Sequence, residues 1–122
     1  MITDPPEISP FSFNENLAQG QRSSVVCNVM SGDLPIDIVW LKDFLPISNF
    51  LNITETREKF LSYLIFDELY EQHSGIYTCY ASNAAATTNY SAPLLVKGMF
   101  HKWCGIAVSQ SVAKVIFLTA YT

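Results

Sequence analysis

Clustered positive charge is missing from this sequence. The seven Lys and Arg residues stand singly among 122, and the formal net charge is −4. Nucleic acid asks for neighbouring basic side chains along a phosphate track, so that partner is not expected. A glycine-rich phosphate loop is missing as well. Three cysteines, Cys27, Cys79 and Cys104, form no C-x-x-C pair, and His73 and His101 stand at no metal-ligand spacing to them. No metal, cofactor or small-molecule substrate is therefore expected. Charge of either sign is scarce, at 15% against 49% hydrophobic residues, which is the composition of a globular chain. That length fits one domain with a full core and leaves no room for two.

Long apolar runs are also lacking. The most apolar window near the end, Ile106 to Thr122, is broken by Ser109, Gln110, Ser111 and Lys114, too short and too polar for a membrane span. The start, "MITDPPEISPF", has no basic segment followed by an apolar one, so no signal peptide is visible. A module cut from a longer secreted chain would look the same.

What the sequence does have, from Ser23 to Val96, is a period of two. Val25, Cys27 and Val29 share one face of a strand, with Val26, Asn28 and Met30 on the other. Ile36, Ile38 and Trp40 alternate with Asp37, Val39 and Leu41. Phe60, Leu64 and Phe66 fall on one side, and Leu61, Tyr63 and Ile65 point outward. Tyr77, Cys79 and Ala81 align, as do Ala92, Leu94 and Val96. Turn signals separate these runs: "AQGQ", "SGDLP", "KDFLP", "EQHSG" and "SNAAA". Short strands so punctuated, without helical segments, describe an all-β antiparallel sandwich. Pro5, Pro6 and Pro10 suit a first edge strand that breaks and changes sheets.

In that frame Cys27 and Cys79, 52 positions apart, both face inward, one on an early strand and one on a late strand. Trp40 follows Cys27 by 13 positions, also inward, where it can pack on a bridge joining the sheets. Tyr77 stands two residues before Cys79, just after the Gly75 turn. Its ring can enter the core while its hydroxyl bonds back to the loop, a tyrosine corner. A bridge of this span implies an oxidising compartment. The other reading is a reduced intracellular domain with two buried thiols.

With these residues in place, the chain resembles an intermediate-set (I-set) immunoglobulin domain. More closely, it is similar to one from the Down-syndrome cell adhesion molecule (Dscam) family of arthropods. The resemblance is carried by "PPEISPFSF", "SGDLPIDIVWLKD" and "HSGIYTCYASNAAATTNYSAPLLVK", and covers about Pro5 to Lys97. It implies an I-set immunoglobulin-like β-sandwich over residues 1–97, part of a plasma-membrane cell-surface protein. It further implies binding by protein–protein contact, homophilic and with the same module on an apposed cell. The roles implied are axon guidance and self-recognition in neuronal wiring, or immune recognition. The alternative is an intracellular structural I-set module strung along muscle filaments. At His73 the wider set has an aspartate paired with a basic residue near the fifth strand, and a turn-capping histidine is expected here instead. At Ala86 the wider set has a glycine.

Catalysis lacks convergent groups, so no enzyme is expected. Ser74 beside His73 has no third group to orient it. Asp67 and Glu68 would point to opposite sides of a strand. Two N-x-S/T sequons, at Asn52 and Asn89, are candidate glycan sites in a secreted domain. Val26, Met30, Leu61, Tyr63 and Ile65 would all face solvent on one sheet, a contiguous apolar patch that monomeric domains avoid. That patch is the candidate homophilic interface. Val39, Leu41 and Tyr80 show on the opposite sheet. The segment 98–122 is expected to lie outside the sandwich, with Cys104 and no acidic residue. It reads either as unselected sequence or as a short amphipathic, membrane-seeking segment.

Overall fold

The computed structural model describes residues 3–98. Ten strands follow in order: β1 (Glu7–Ile8), β2 (Leu17–Ala18), β3 (Ser23–Ser31), β4 (Asp37–Lys42), β5 (Leu45–Pro46), β6 (Ile53–Arg57), β7 (Leu61–Phe66), β8 (Gly75–Ser82), β9 (Thr87–Leu94) and β10 (Val96–Lys97). One sheet has the order β1-β3-β7-β6 and the other β5-β4-β8-β9, while β2 pairs in parallel with β10. The expected change of sheet at the start is present. Glu7 and Ile8 pair with β3, and ten residues on Leu17 and Ala18 pair with β10 instead. Proline has no N–H to give a ladder, which confines such a segment to an edge.

The period-two reading holds through most strands. Val25, Cys27 and Val29, with Leu64 and Phe66 on the same sheet, face Ile38, Trp40, Tyr77 and Cys79 across the core. Phe60 does not join them. Strand β7 begins only at Leu61, and Phe60 lies in the preceding turn, where its carbonyl accepts the Val29 N–H at 2.8 Å. Its ring is left outside, about half exposed. Ser62 takes the inward position in its place and is fully buried. Asp67 and Glu68 correct a second expectation: β7 ends at Phe66, so they occupy a bend rather than opposite faces of a strand. Two 3-10 helices of three residues, Asn49–Leu51 and Glu71–His73, also interrupt the strands.

Glycine is required at two points of this frame. A Cβ on Gly32, whose φ is +119°, would stand 2.6 Å from the Pro6 Cα, so the "SGDLP" turn and the first strand need its bare backbone. A Cβ on Gly75 would meet the Asp43 carboxylate at 2.7 Å. That carboxylate accepts the Ile76 N–H at 2.9 Å, locking the β4–β5 turn onto the start of β8. The same hydrogen bond, with the Lys42 ammonium beside it, holds the Asp43 carboxyl below the usual carboxylate range.

Candidate protein-binding face

Cys27 and Cys79 are joined as a disulfide, with Cα atoms 6.4 Å apart and both residues fully buried. Trp40 stands opposite Cys79 in the β4–β8 ladder, also buried. Its indole N–H donates to Ser62 Oγ at 3.0 Å, and that hydroxyl donates onward to Glu55 Oε2 at 3.1 Å. Ser62 is a core residue the sequence reading passed over. The available signal was its even spacing from Leu64 and Phe66.

Tyr77 makes the expected corner, its hydroxyl donating to the His73 carbonyl at 2.6 Å. Burial, then repulsion from the Asp43 carboxylate, holds this phenol well above the ordinary tyrosine value. The unfolded chain ionises the group near pH 10 while the folded one does not. Its contribution is therefore complete below about pH 10 and is lost as pH rises further. Urea midpoints measured from pH 8 upward should fall more steeply for the wild type than for Tyr77→Phe. Equal slopes would show that the phenol is not held this way.

His73 is buried and caps two segments at once. Its Nδ1 accepts the Tyr70 N–H at 2.8 Å, so the proton is on Nε2, which donates to the Leu51 carbonyl at 2.7 Å. A neutral imidazole tying two loops together stands where the wider set has an ion pair. At the β8–β9 turn, Asn83 Oδ1 accepts the N–H groups of Ala85 and Ala86, and no residue from Asn83 to Ala86 has a positive φ. Glycine is not needed at Ala86 for that reason.

The five candidate interface residues all lie on the outer face of the first sheet. Val26 pairs with Tyr63, which pairs with Thr56 on β6, making one rung across three strands. Ile65 lies between Ser24 and Thr54, and Leu61 opposite Asn28. Val26 and Met30 are exposed, at 43% and 54%. Leu61, Tyr63 and Ile65 are only half-buried, not fully open to solvent, because they stand on a strand flanked on both sides. Asn52 sits at this sheet's edge, exposed and left-handed (φ 55°), closing the first 3-10 helix just before β6. Asn89 is on the other sheet, exposed on β9 opposite Tyr80. The outer face of that sheet also shows Val39, exposed at 51%, with Leu41 half-buried.

Among the described residues no cluster of His, Cys, Asp and Glu could hold a metal, and no helix is long and apolar enough to cross a membrane. An open hollow lies between Asp33, Pro35, Asp37 and Asn83.

Two packed antiparallel sheets, a central inter-sheet disulfide, a tryptophan on the strand beside it and a tyrosine corner define an immunoglobulin-type sandwich. The family model described as "Immunoglobulin domain" matches residues 5–83, and the chain belongs to that family. It is 45% identical over 94 residues to "Cell adhesion molecule Dscam2" of Drosophila melanogaster, a match covering 76% of this chain and 4% of that protein. Among solved structures it resembles the Dscam1 Ig7 domain, isoform 5, with TM-score 0.71 and 33% identity, covering 76% of this chain and 97% of that one. It also resembles the I67–I69 fragment of titin, with TM-score 0.68 and 33% identity, covering 77% of this chain and 33% of that one. The chain thus spans a small fraction of the length of its Dscam relatives. It is an immunoglobulin module similar to those of cell adhesion molecules.

Proposed function

We propose that this chain is an extracellular recognition module that binds a second copy of itself through the outer face of β1-β3-β7-β6. The setting is the surface of neuronal or immune cells, where such pairing serves axon guidance, self-recognition or immune recognition. Attachment to the membrane belongs to the parent protein. The observation that carries the reading is the apolar outer face of Val26, Met30, Leu61, Tyr63 and Ile65, left partly open among the described residues. A two-fold axis through Tyr63 lets the same patch meet itself. A specific contact of this kind buries roughly 800 Å² per partner, about one side of a small sandwich. A glycan on Asn52 would border the face without crossing its centre.

Tyr63→Asp or Ile65→Asp places like charges across that axis and costs several kcal/mol of pairing. Sedimentation should show a wild-type dimer and monomeric variants, with melting temperatures little changed because both side chains point away from the core. Tyr80→Asp, on the opposite sheet, should still pair. A monomeric wild type, or a dimer broken only by Tyr80→Asp, sinks the assignment.

The likeness to titin favours a second reading, an intracellular structural module. Thiol titration of the unfolded, unreduced chain separates the two. A bridged chain shows at most one thiol, from Cys104, and an unbridged chain shows three.

The boundary at Lys97 is part of the same proposal. The expectation for 98–122 lies, from Met99 on, outside the described residues. Strand β10 ends at Lys97 and already completes the pairing with β2. A chain ending at Lys97 should melt at the temperature of the full chain. Failure of the shortened chain to fold would move the boundary.

A further inference from the structure

The outer face of the second sheet carries its own signal. Along one rung, Val39 stands opposite Tyr80, and Tyr80 opposite Asn89, so three adjacent strands bring an exposed valine, a phenol ring and a sequon asparagine into line. Asn89 lies on β9, an edge strand, with its side chain on the exposed face, while Tyr90 beside it turns inward against Phe11, ring centroids 4.9 Å apart. Directly opposed side chains in an antiparallel pair have Cβ atoms roughly 4.5–5.5 Å apart. Anything attached to the Asn89 amide therefore begins beside the ring of Tyr80. On the next outward rung Thr78 Oγ1 and Ser91 Oγ are hydrogen-bonded at 2.7 Å, and Thr78 is fully buried while Ser91 is exposed.

We propose that Asn89 is an N-glycan acceptor whose first N-acetylglucosamine lies against Tyr80 and covers the Val39–Tyr80 row. The transfer joins the Asn89 amide nitrogen to C1 of the sugar. It releases the lipid pyrophosphate that carried the oligosaccharide, and the amide gives up one proton. Transfer takes place on the extended chain, before Ser91 is engaged by Thr78. The C–H face of a pyranose is apolar and fits an aromatic ring, so the sugar covers apolar surface that Tyr80 and Val39 otherwise expose. Asn52 differs: it closes a 3-10 turn outside any strand pair, with no aromatic opposite it. The consequence is a division of faces, one sheet sugar-covered and the other free for protein. This inference rests on the extracellular reading above.

The test uses the full chain behind a secretion leader in insect cells, in an Asn52→Gln background. Intact mass is measured before and after peptide N-glycosidase, then melting temperature after an endoglycosidase trims the glycan to one sugar. One glycan is expected, absent in Asn89→Gln. The single sugar should raise the melting temperature by several degrees, and this gain should vanish in Tyr80→Ala. An oxidised, secreted chain without sugar at Asn89 overturns the inference and leaves the extracellular reading standing. A sugar whose gain survives Tyr80→Ala overturns the contact. A chain retained in the cell with free Cys27 and Cys79 sinks the extracellular reading and the inference with it.

Discussion

Replacing Trp40 with alanine should cost the domain about 3–5 kcal/mol, the usual range for removing a large side chain from a packed core. Trp40 is 4% exposed and stands beside the buried bridge, with Phe11 packed edge-on at 5.4 Å between ring centroids. Strand backbones on either side are held by their own ladders, so the site cannot collapse to fill the space. The lost hydrogen bond matters less than the cavity. Ser62 Oγ loses the indole donor yet still donates to Glu55, so the seryl hydroxyl keeps a partner. Trp40→Phe, which keeps most of the volume, should therefore recover most of the loss. Urea unfolding with an unchanged m-value is the measurement. Against a total stability of about 5–15 kcal/mol for a domain, Trp40→Ala leaves little margin at 37 °C. A loss below about 1 kcal/mol would mean that this indole does not fill the core, since even small core truncations cost that much.

Breaking the Cys27–Cys79 bond should cost a comparable amount. The bridge spans 52 residues, and in the chain-entropy account a loop of that size is worth roughly 4 kcal/mol. Both cysteines are completely buried. Dithiothreitol should accordingly leave the native domain untouched until it unfolds, and then prevent its return. The urea midpoint with reductant present should drop sharply, and Cys27→Ala/Cys79→Ala should match the reduced protein to within the cost of the lost sulfur volume. Identical midpoints with and without reductant would remove the bridge from any role in stability. The outcome also bears on location, because a domain that needs its bridge belongs in an oxidising compartment.

Where a residue's environment depends only on its neighbours along a strand, alternation predicted it. Cys27, Trp40, Tyr77 and Cys79 each lie in regular strands with one face buried, and a slip of one position would have turned the whole apolar set to solvent. The tyrosine corner was legible for the same reason, since Tyr77 stands just after the Gly75 turn and the carbonyl its hydroxyl reaches is only four residues back. Phe60 misled because its parity matched Leu64 and Phe66, while the strand began one residue later. Nothing in an alternating pattern marks where pairing starts.

Register across strands was beyond the reach of the sequence. Val26, Tyr63 and Thr56 are far apart in the chain and form one rung only because β3, β7 and β6 pair in a particular alignment. The same holds for Val39, Tyr80 and Asn89. His73 shows the limit most clearly: as a turn residue it looked like a local cap, and its second hydrogen bond goes to Leu51, 22 residues away. Sequence alone determined the sandwich, the inward placing of Cys27, Cys79 and Trp40, and the outward side chains of the regular strands, because these follow from a two-residue period and a few turn residues. The tertiary structure decided which outward side chains become neighbours and which loops are tied together, because those contacts are set by strand pairing between distant segments.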